Sequence, residues 1–370
     1  MEFGVFHEFP RRPEQSDADA FAEGLELVDA AEHLGLDVLW LAELHLSPRS
    51  VLAAPLTIAA AIAARTTRLK IGTAVQVLPL VNPLRLAEEA ATVDQISRGR
   101  LIFGVGRSGF ARTYQAYGIP YAESRDRFAE ALTIIVKAWT ESSFSYRGTY
   151  HSVADVSITP RPYQQPHPPI RVAATTPPTF PQLGAQGHPV FGAVRQGTFS
   201  ELAPDLDAYR AAYSAAGHAG RGEIYLRVPI YVADTAERAL SEPEPSMTQF
   251  YRAMAAQLVE SAKEPGARPE DRRRERGEAL ARLTFDQMGR EKVVVGTPEM
   301  VADRLAELRD ELGLSGILAE LNCGGQIPHA RVMRSLELLC TEVMPRFKNT
   351  TELARESDPL RDHHERPGRS

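Results

Sequence analysis

Eight short β-type runs alternating with amphipathic helical segments predict an α/β fold of the (β/α)8 TIM-barrel type. The length, 370 residues, suits either one large α/β domain or two ordinary ones. No glycine-rich dinucleotide fingerprint follows the first run, which weakens the doubly wound alternative.

The first run covers residues 2–6. SDADAFAEGLELVDAAEHLG then reads as a helix: Ser16 or Asp17 can cap it, Phe21, Leu25, Val28 and Ala31 share a face, and Gly35 can end it. DVLWLAE is the second strand, and APLTIAAAIAART is a small-residue helix suited to close packing on a sheet. LKIGTAVQVLP is the third strand, PLRLAEEAATVDQISRG a helix, and LIFGVGR the fourth strand. After the helix FAEALTIIVKAWT, a polar, proline-rich connection (SITPRPYQQPHPP) leads to the fifth strand, IRVAATT. PVFGA is the sixth and EIYLRVPIYVA the seventh. GILAELN is the eighth, followed by the helix HARVMRSLELLCTEVMPRF.

A barrel domain is therefore expected over residues 1–347. It is interrupted at 235–290 by a helical insertion with a charged stretch at 263–278. That insertion reads either as a solvated elaboration or as a lid, since insertions after barrel strands sit on the catalytic face. Residues 348–370 are polar and expected to be disordered, with His363 and His364 solvated rather than metal-binding.

Hydrophobic residues make up 43% of the chain, and no apolar run approaches the roughly 18 residues of a membrane span. The formal charge of −6 is mild and gives no reason to expect nucleic acid or a membrane surface as partner. Two cysteines, Cys323 and Cys340, make no disulfide framework and fit a reducing compartment. The start, MEFGVFHEFP, lacks the pattern of a signal peptide, so a cytoplasmic protein is expected.

In a barrel, chemistry is assembled from the C-terminal strand ends. Those ends carry Phe6 and His7, then Glu43 and His45, then Ala74, Val75 and Gln76, then Gly106 and Arg107, then Thr175 and Thr176 with Thr179 beyond. In GVGRSGF the glycines allow close backbone approach and Arg107 can grip a phosphate; the alternative is a glycine turn with an exposed arginine. TTPPTF supplies hydroxyls and backbone donors at a strand-to-helix junction, a favourable place for an anion. Both segments share one rim, which favours a phosphate-bearing cofactor.

With these residues the sequence resembles the bacterial luciferase-like flavin-dependent monooxygenases. The matching stretches are LWLAELH, LKIGTAVQVLPLVNPLRLAEEAATVDQISRGRLIFGVGR, IRVAATTPPT, VVGTPEMVADRL and EVMP, spread over nearly the whole chain. The resemblance implies reduced FMN (FMNH2), supplied by a separate flavin reductase, which reacts with O2 to give a flavin C4a-hydroperoxide. It makes Arg107, Thr176 and Thr179 phosphate ligands, with Thr175 offering its backbone N–H and Ala174 and Gly106 beside them. It puts a non-proline cis peptide at Ala74–Val75 behind the flavin ring, Phe6 in the pocket and Glu43 beneath the flavin. Family members are commonly dimers, so a homodimer is expected, and no metal is implied.

Two departures bear on the chemistry. The family often reads Glu-His-His where this chain has Glu43-Leu44-His45, and Gly106 stands where the light-emitting enzymes carry a reactive cysteine. Aldehyde-driven light emission is therefore not expected. His45 is a candidate catalytic residue alongside Glu43, yet adjacent strand residues face opposite sides, so it cannot simply replace position 44. Phe6, Leu44, Val75 and Phe110 imply a partly apolar organic substrate. The alternatives are a dehydrogenase using the deazaflavin F420 on the same fold, and a non-catalytic flavin-binding partner subunit.

Overall fold

The computed structural model describes residues 1–194, 197–262 and 273–348. Eight strands form the barrel: β1 (Glu2–His7), β2 (Val38–Leu41), β3 (Lys70–Thr73), β4 (Leu101–Gly106), β5 (Ile170–Ala173), β6 (Val190–Ala193), β7 (Ile224–Val232) and β8 (Gly316–Glu320). Each pairs in parallel with the next, and β8 closes on β1 through Glu2↔Gly316 to Val5↔Ala319. All eight correspond to the runs read from the sequence.

Helices between the strands start where their caps dictate. Ser16 Oγ accepts from the Asp19 N–H and opens Asp17–His33, with two acids in its first turn. Asn82 opens Pro83–Ser97 by accepting from the Leu84 and Arg85 N–H groups. Thr297 opens Pro298–Leu312, which Gly313 ends in the left-handed conformation.

The barrel interior is built in layers. At the N-terminal end, Arg171 pairs with Glu2 at 2.7 and 3.1 Å and lies 3.5 Å over the Tyr225 ring. Above it the buried indole of Trp40 crosses the barrel, edge-on to Phe191 at 5.0 Å. It fits because its neighbours on β1 and β3 are Gly4 and Gly72: a Cβ on either would stand 2.3 or 2.1 Å from the indole. The layer above is lopsided. Ala42, Ala74, Gly104, Ala173 and Ala193 lie on the β2–β6 side, whereas β1, β7 and β8 contribute Phe6, Arg227 and Glu320.

Five features escaped the sequence reading. A hairpin, Phe144–Arg147 with Ser152–Val156, precedes the proline-rich connection; it is mostly exposed and so lacks a long apolar run. The helices Ala111–Ala116 and Phe199–Ala215 also went unread; the second contains Pro204 and has only four buried positions. A short strand, Val294–Gly296, adds to β7, and the helix Pro298–Leu312 leads back to β8. The third strand is shorter than expected: β3 stops at Thr73, the Ala74–Val75 peptide is cis, and Gln76–Val77 resumes pairing with β4.

Of the expected insertion, the described parts hold the helices Ala236–Ser241, Glu244–Ser261, Arg273–Arg282 and Phe285–Glu291. Residues 263–272 of its charged stretch lie outside the described residues, as does the tail from 349, including His363 and His364. Cys323 and Cys340 are buried free thiols.

Replacing Gly72 with Ala should lower stability by about 1–3 kcal/mol, because the new methyl must displace Trp40 in a filled layer. Urea unfolding would measure this, and an unchanged midpoint would mean that the indole has room to move.

Candidate active site

The C-terminal mouth is organised by a bulge. Gly72 pairs with Ile102 and Gln76 with Val105, so residues 73–75 face only 103 and 104 on β4. Thr73 Oγ1 donates to the Gly104 carbonyl at 2.7 Å, and a Cβ on Gly104 would clash with the Thr73 carbonyl oxygen. Gly106 is required in the same way, since its Cβ would stand 2.4 Å from Val75 Cγ2. In GVGRSGF, Gly106 therefore makes room for Val75, while the left-handed position falls on Ser108 (φ 60°) rather than on Gly109.

Glu43 braces this bulge. Its side chain is only 2% exposed, and its Oε2 accepts from the Val77 N–H at 2.9 Å and from Gln76 Nε2 at 2.5 Å. Its Oε1 lies 2.7 Å from His45 Nε2, and His45 Nδ1 is 3.0 Å from the Tyr117 hydroxyl. Both oxygens are thus engaged by the protein itself, an arrangement that suits holding the 75–77 backbone in place. Leu44 packs against the barrel-mouth cluster of Phe6, Trp40 and Ala74, while His45 points to Glu43 and Tyr117. His45 does not take over the direction of position 44, as strand alternation requires.

Arg107 follows β4, and Thr175, Thr176 and Thr179 follow β5, its hydrogen-bonded neighbour. The strand ends are therefore adjacent, at the roughly 4.8 Å spacing of paired strands. Arg107 Nη1 donates to Ser124 Oγ at 2.9 Å, and its guanidinium lies 5.7 Å from the Tyr121 ring centroid. The Tyr114 hydroxyl donates to the Arg107 carbonyl, and burial raises that phenol, which keeps it protonated as a donor. Thr176 Oγ1 and Thr179 Oγ1 are 2.9 Å apart at the start of the helix Thr179–Gln186, whose Pro178 cap offers no side-chain acceptor. Ala174 donates its N–H to the Phe191 carbonyl.

Sequence reasoning passed over Ser124 and Tyr117, which lie far along the chain from the groups they meet, as well as Arg227 and Glu320. The last two did leave a signal. Arg227 interrupts IYLRVPIYV and Glu320 interrupts GILAELN, and a charge inside an otherwise apolar barrel strand needs a partner. His7, at the end of β1, is buried, and its Nε2 has no partner among the described residues. Burial, with His329 nearby, pushes its imidazole down to about 3.

A closed parallel barrel with polar side chains gathered at the C-terminal strand ends defines a (β/α)8 enzyme. Its family follows from comparison: residues 1–316 match the family described as luciferase-like monooxygenase. The chain belongs to that family and is a flavin-dependent oxidoreductase. It is 27% identical over 353 residues to the oxygenase component of flavin-dependent trigonelline monooxygenase from Acinetobacter baylyi, covering 95% of this chain and 96% of that one. The crystal structure of the monooxygenase RslO1 from Streptomyces bottropensis is 29% identical, with a TM-score of 0.79, covering 94% of this chain and all of the other. Over 184 residues, 47% of this chain and 53% of the relative, it is 35% identical to F420-dependent glucose-6-phosphate dehydrogenase from Kineococcus radiotolerans.

The neutral buried state of His7 makes the fold acid-sensitive. The unfolded imidazole takes a proton below about 6.5, the folded one only near 3, so stability falls with pH across that window. By about pH 5 the loss should reach about 2 kcal/mol, and His7→Leu should remove it. Unfolding curves at several pH values for both proteins would measure the difference; equal slopes would show that His7 does not contribute.

Proposed function

We propose that this chain is the oxygenase component of a two-component, reduced-FMN-dependent monooxygenase, supplied by a separate reductase and acting with O2 on a partly apolar organic substrate. The observation that carries the reading is the lopsided upper layer of the barrel. Along the β2–β6 side this layer carries Ala42, Ala74, Gly104, Ala173 and Ala193, small residues that suit a planar ring lying above Trp40. Arg107 and the Thr176–Thr179 hydroxyls lie on the adjoining strand ends at the edge of that layer.

These residues fit a flavin mononucleotide. Its phosphate needs a cation and hydrogen-bond donors; a guanidinium has five N–H bonds, and Ser124 uses one of them. Thr176 and Thr179 add hydroxyls and Thr175 a backbone N–H, with Ala174 and Gly106 as the small residues just before them and before Arg107. Ala74 and Val75 back the ring, Trp40 closes the floor, and Phe6 faces the ring from β1. When bound, reduced flavin supplies the electrons that activate oxygen. The protein's part is to grip the phosphate, fix the ring and keep water out. Leu44, Val75 and Phe110 are the apolar residues suited to that exclusion.

Glu43 serves this arrangement as a positioning residue, because its carboxylate secures Val77 and Gln76 directly behind the ring site. His45 orients that carboxylate from the other side. The helix Glu244–Ser261 belongs to a barrel-mouth cover formed by the described helices of the 235–290 insertion in the 1–347 domain. A cytoplasmic homodimer completes the reading; among the described residues no helix is long and apolar enough to cross a membrane.

The relative that uses F420 makes the deazaflavin the competing cofactor. Titration with FMN and with F420, followed by absorbance and fluorescence, separates the two; tight F420 binding without FMN binding would overturn the proposal. Arg107→Ala should weaken FMN by about 1.5–3 kcal/mol, the scale of a charge-assisted hydrogen bond. Unchanged affinity would put the phosphate elsewhere.

A further inference from the structure

The segment that joins β4 to the helix Ser124–Thr140 is folded around Arg107. The Tyr114 hydroxyl donates to the Arg107 carbonyl, and Ser124 accepts from Arg107 Nη1 at 2.9 Å. The Tyr121 ring centroid lies 5.7 Å from the guanidinium and 5.2 Å from the Tyr114 ring. The segment holds the barrel mouth at two points. Tyr114, with Ile119 and Tyr121, packs on Val77 and Leu80 just past the bulge. Tyr117, which ends the helix Ala111–Ala116, reaches His45 instead: the ring centroids are 5.1 Å apart, edge to face, and the hydroxyl lies 3.0 Å from Nδ1.

Tyr117 is 47% exposed, so burial does not fix its place. Among the described residues its ring and its hydroxyl meet the same partner, His45. Glu43 decides where the hydrogens lie in that contact. Both oxygens of its carboxylate accept: Oε2 takes the Val77 N–H and Gln76 Nε2, and Oε1 faces His45 Nε2 at 2.7 Å. Nε2 therefore carries the imidazole hydrogen. In a neutral ring Nδ1 is then a lone pair, and the Tyr117 hydroxyl is the donor. An unbroken line of hydrogen bonds thus runs from a half-exposed phenol on the Arg107 segment, through His45 and Glu43, to the backbone at Val77. Without the hydroxyl, the imidazole is held at one nitrogen only.

We propose that Tyr117 is a positioning residue: it fixes His45 in the orientation and tautomer that brace Glu43, and so couples the Arg107 segment to the backbone behind the ring site. It acts through His45 and not on the cofactor. Val77 is held twice from this one segment, directly by the Tyr114 cluster and indirectly through Tyr117, His45 and Glu43. Removing the Tyr117 hydroxyl loosens the polar hold and leaves the apolar one intact. The effect on FMN rests on the reduced-FMN reading above; the hold on His45 does not.

Two measurements test this. In the flavin-free protein at neutral pH, nitrogen NMR of the imidazoles reads both nitrogens of His45, whose signals are the ones missing from His45→Ala. The expected result is hydrogen on Nε2 and a hydrogen-bonded lone pair on Nδ1. In Tyr117→Phe, which keeps the ring contact and removes only the hydroxyl, Nδ1 should move to the position of an unpaired acceptor. Hydrogen on Nδ1 in the native protein, or His45 signals unchanged in Tyr117→Phe, would overturn the proposal. FMN titration then reads the coupling as a double-mutant cycle. Tyr117→Phe should weaken FMN about two- to tenfold, the scale of one hydrogen bond. In the His45→Ala background it should cause no further loss. Unchanged affinity in Tyr117→Phe, or an equal loss with His45 already replaced, would count against Tyr117 acting through His45 and sink the idea. Should the native protein bind no FMN, the cofactor reading falls, and the NMR comparison alone decides for or against Tyr117.

Discussion

The indole of Trp40 lies across the barrel axis between two strands that have no side chain beside it. Gly4 and Gly72 make that placement possible, and Phe191 meets the indole edge-on. With this layer filled, and Arg171 locked to Glu2 below it, the barrel is solid up to the level of the strand ends. Whatever binds must therefore bind above Trp40. The depth of the site follows from the packing of one large residue against two absent ones.

Above that floor the two halves of the barrel do different things. On the β2–β6 side the inward positions are alanine or glycine, and the chain makes its one-residue bulge between β3 and β4. The bulge is held from both flanks, by Thr73 on Gly104 and by Glu43 on Gln76 and Val77. On the other side, Phe6, Arg227 and Glu320 fill the layer with an aromatic face and a charge pair. Small residues therefore lie on one side of this layer and polar ones on the other.

Much of this was legible in the sequence. The eight barrel strands were each marked by an apolar run at the right interval, because a strand buried on both faces needs continuous hydrophobicity. Two of the elements missed lay where burial leaves no such trace: an exposed hairpin at Phe144–Val156, and a helix from Phe199 that buries only four positions and carries a proline. At the site, Glu43, His45, Arg107 and the threonines could be singled out because they stand at strand ends. Their partners could not. Ser124 is 17 residues from Arg107, Tyr117 is 72 from His45, and nothing in local pattern links them.

What the sequence alone determined was the class of fold, the rim on which its chemistry sits, and its membership of a flavin-using family. These follow from periodicity and from motifs, which are local properties of the chain. The tertiary structure decided the rest. It turned Glu43 from a bare acid into the brace of a bulge, explained Gly106 by the methyl group of Val75, and brought Arg227 of one strand against Glu320 of another, 93 residues away. The physical reason is that a barrel interior is shared among all its strands. Which side chains meet there depends on the register and closure of the whole sheet, and no single segment carries that information.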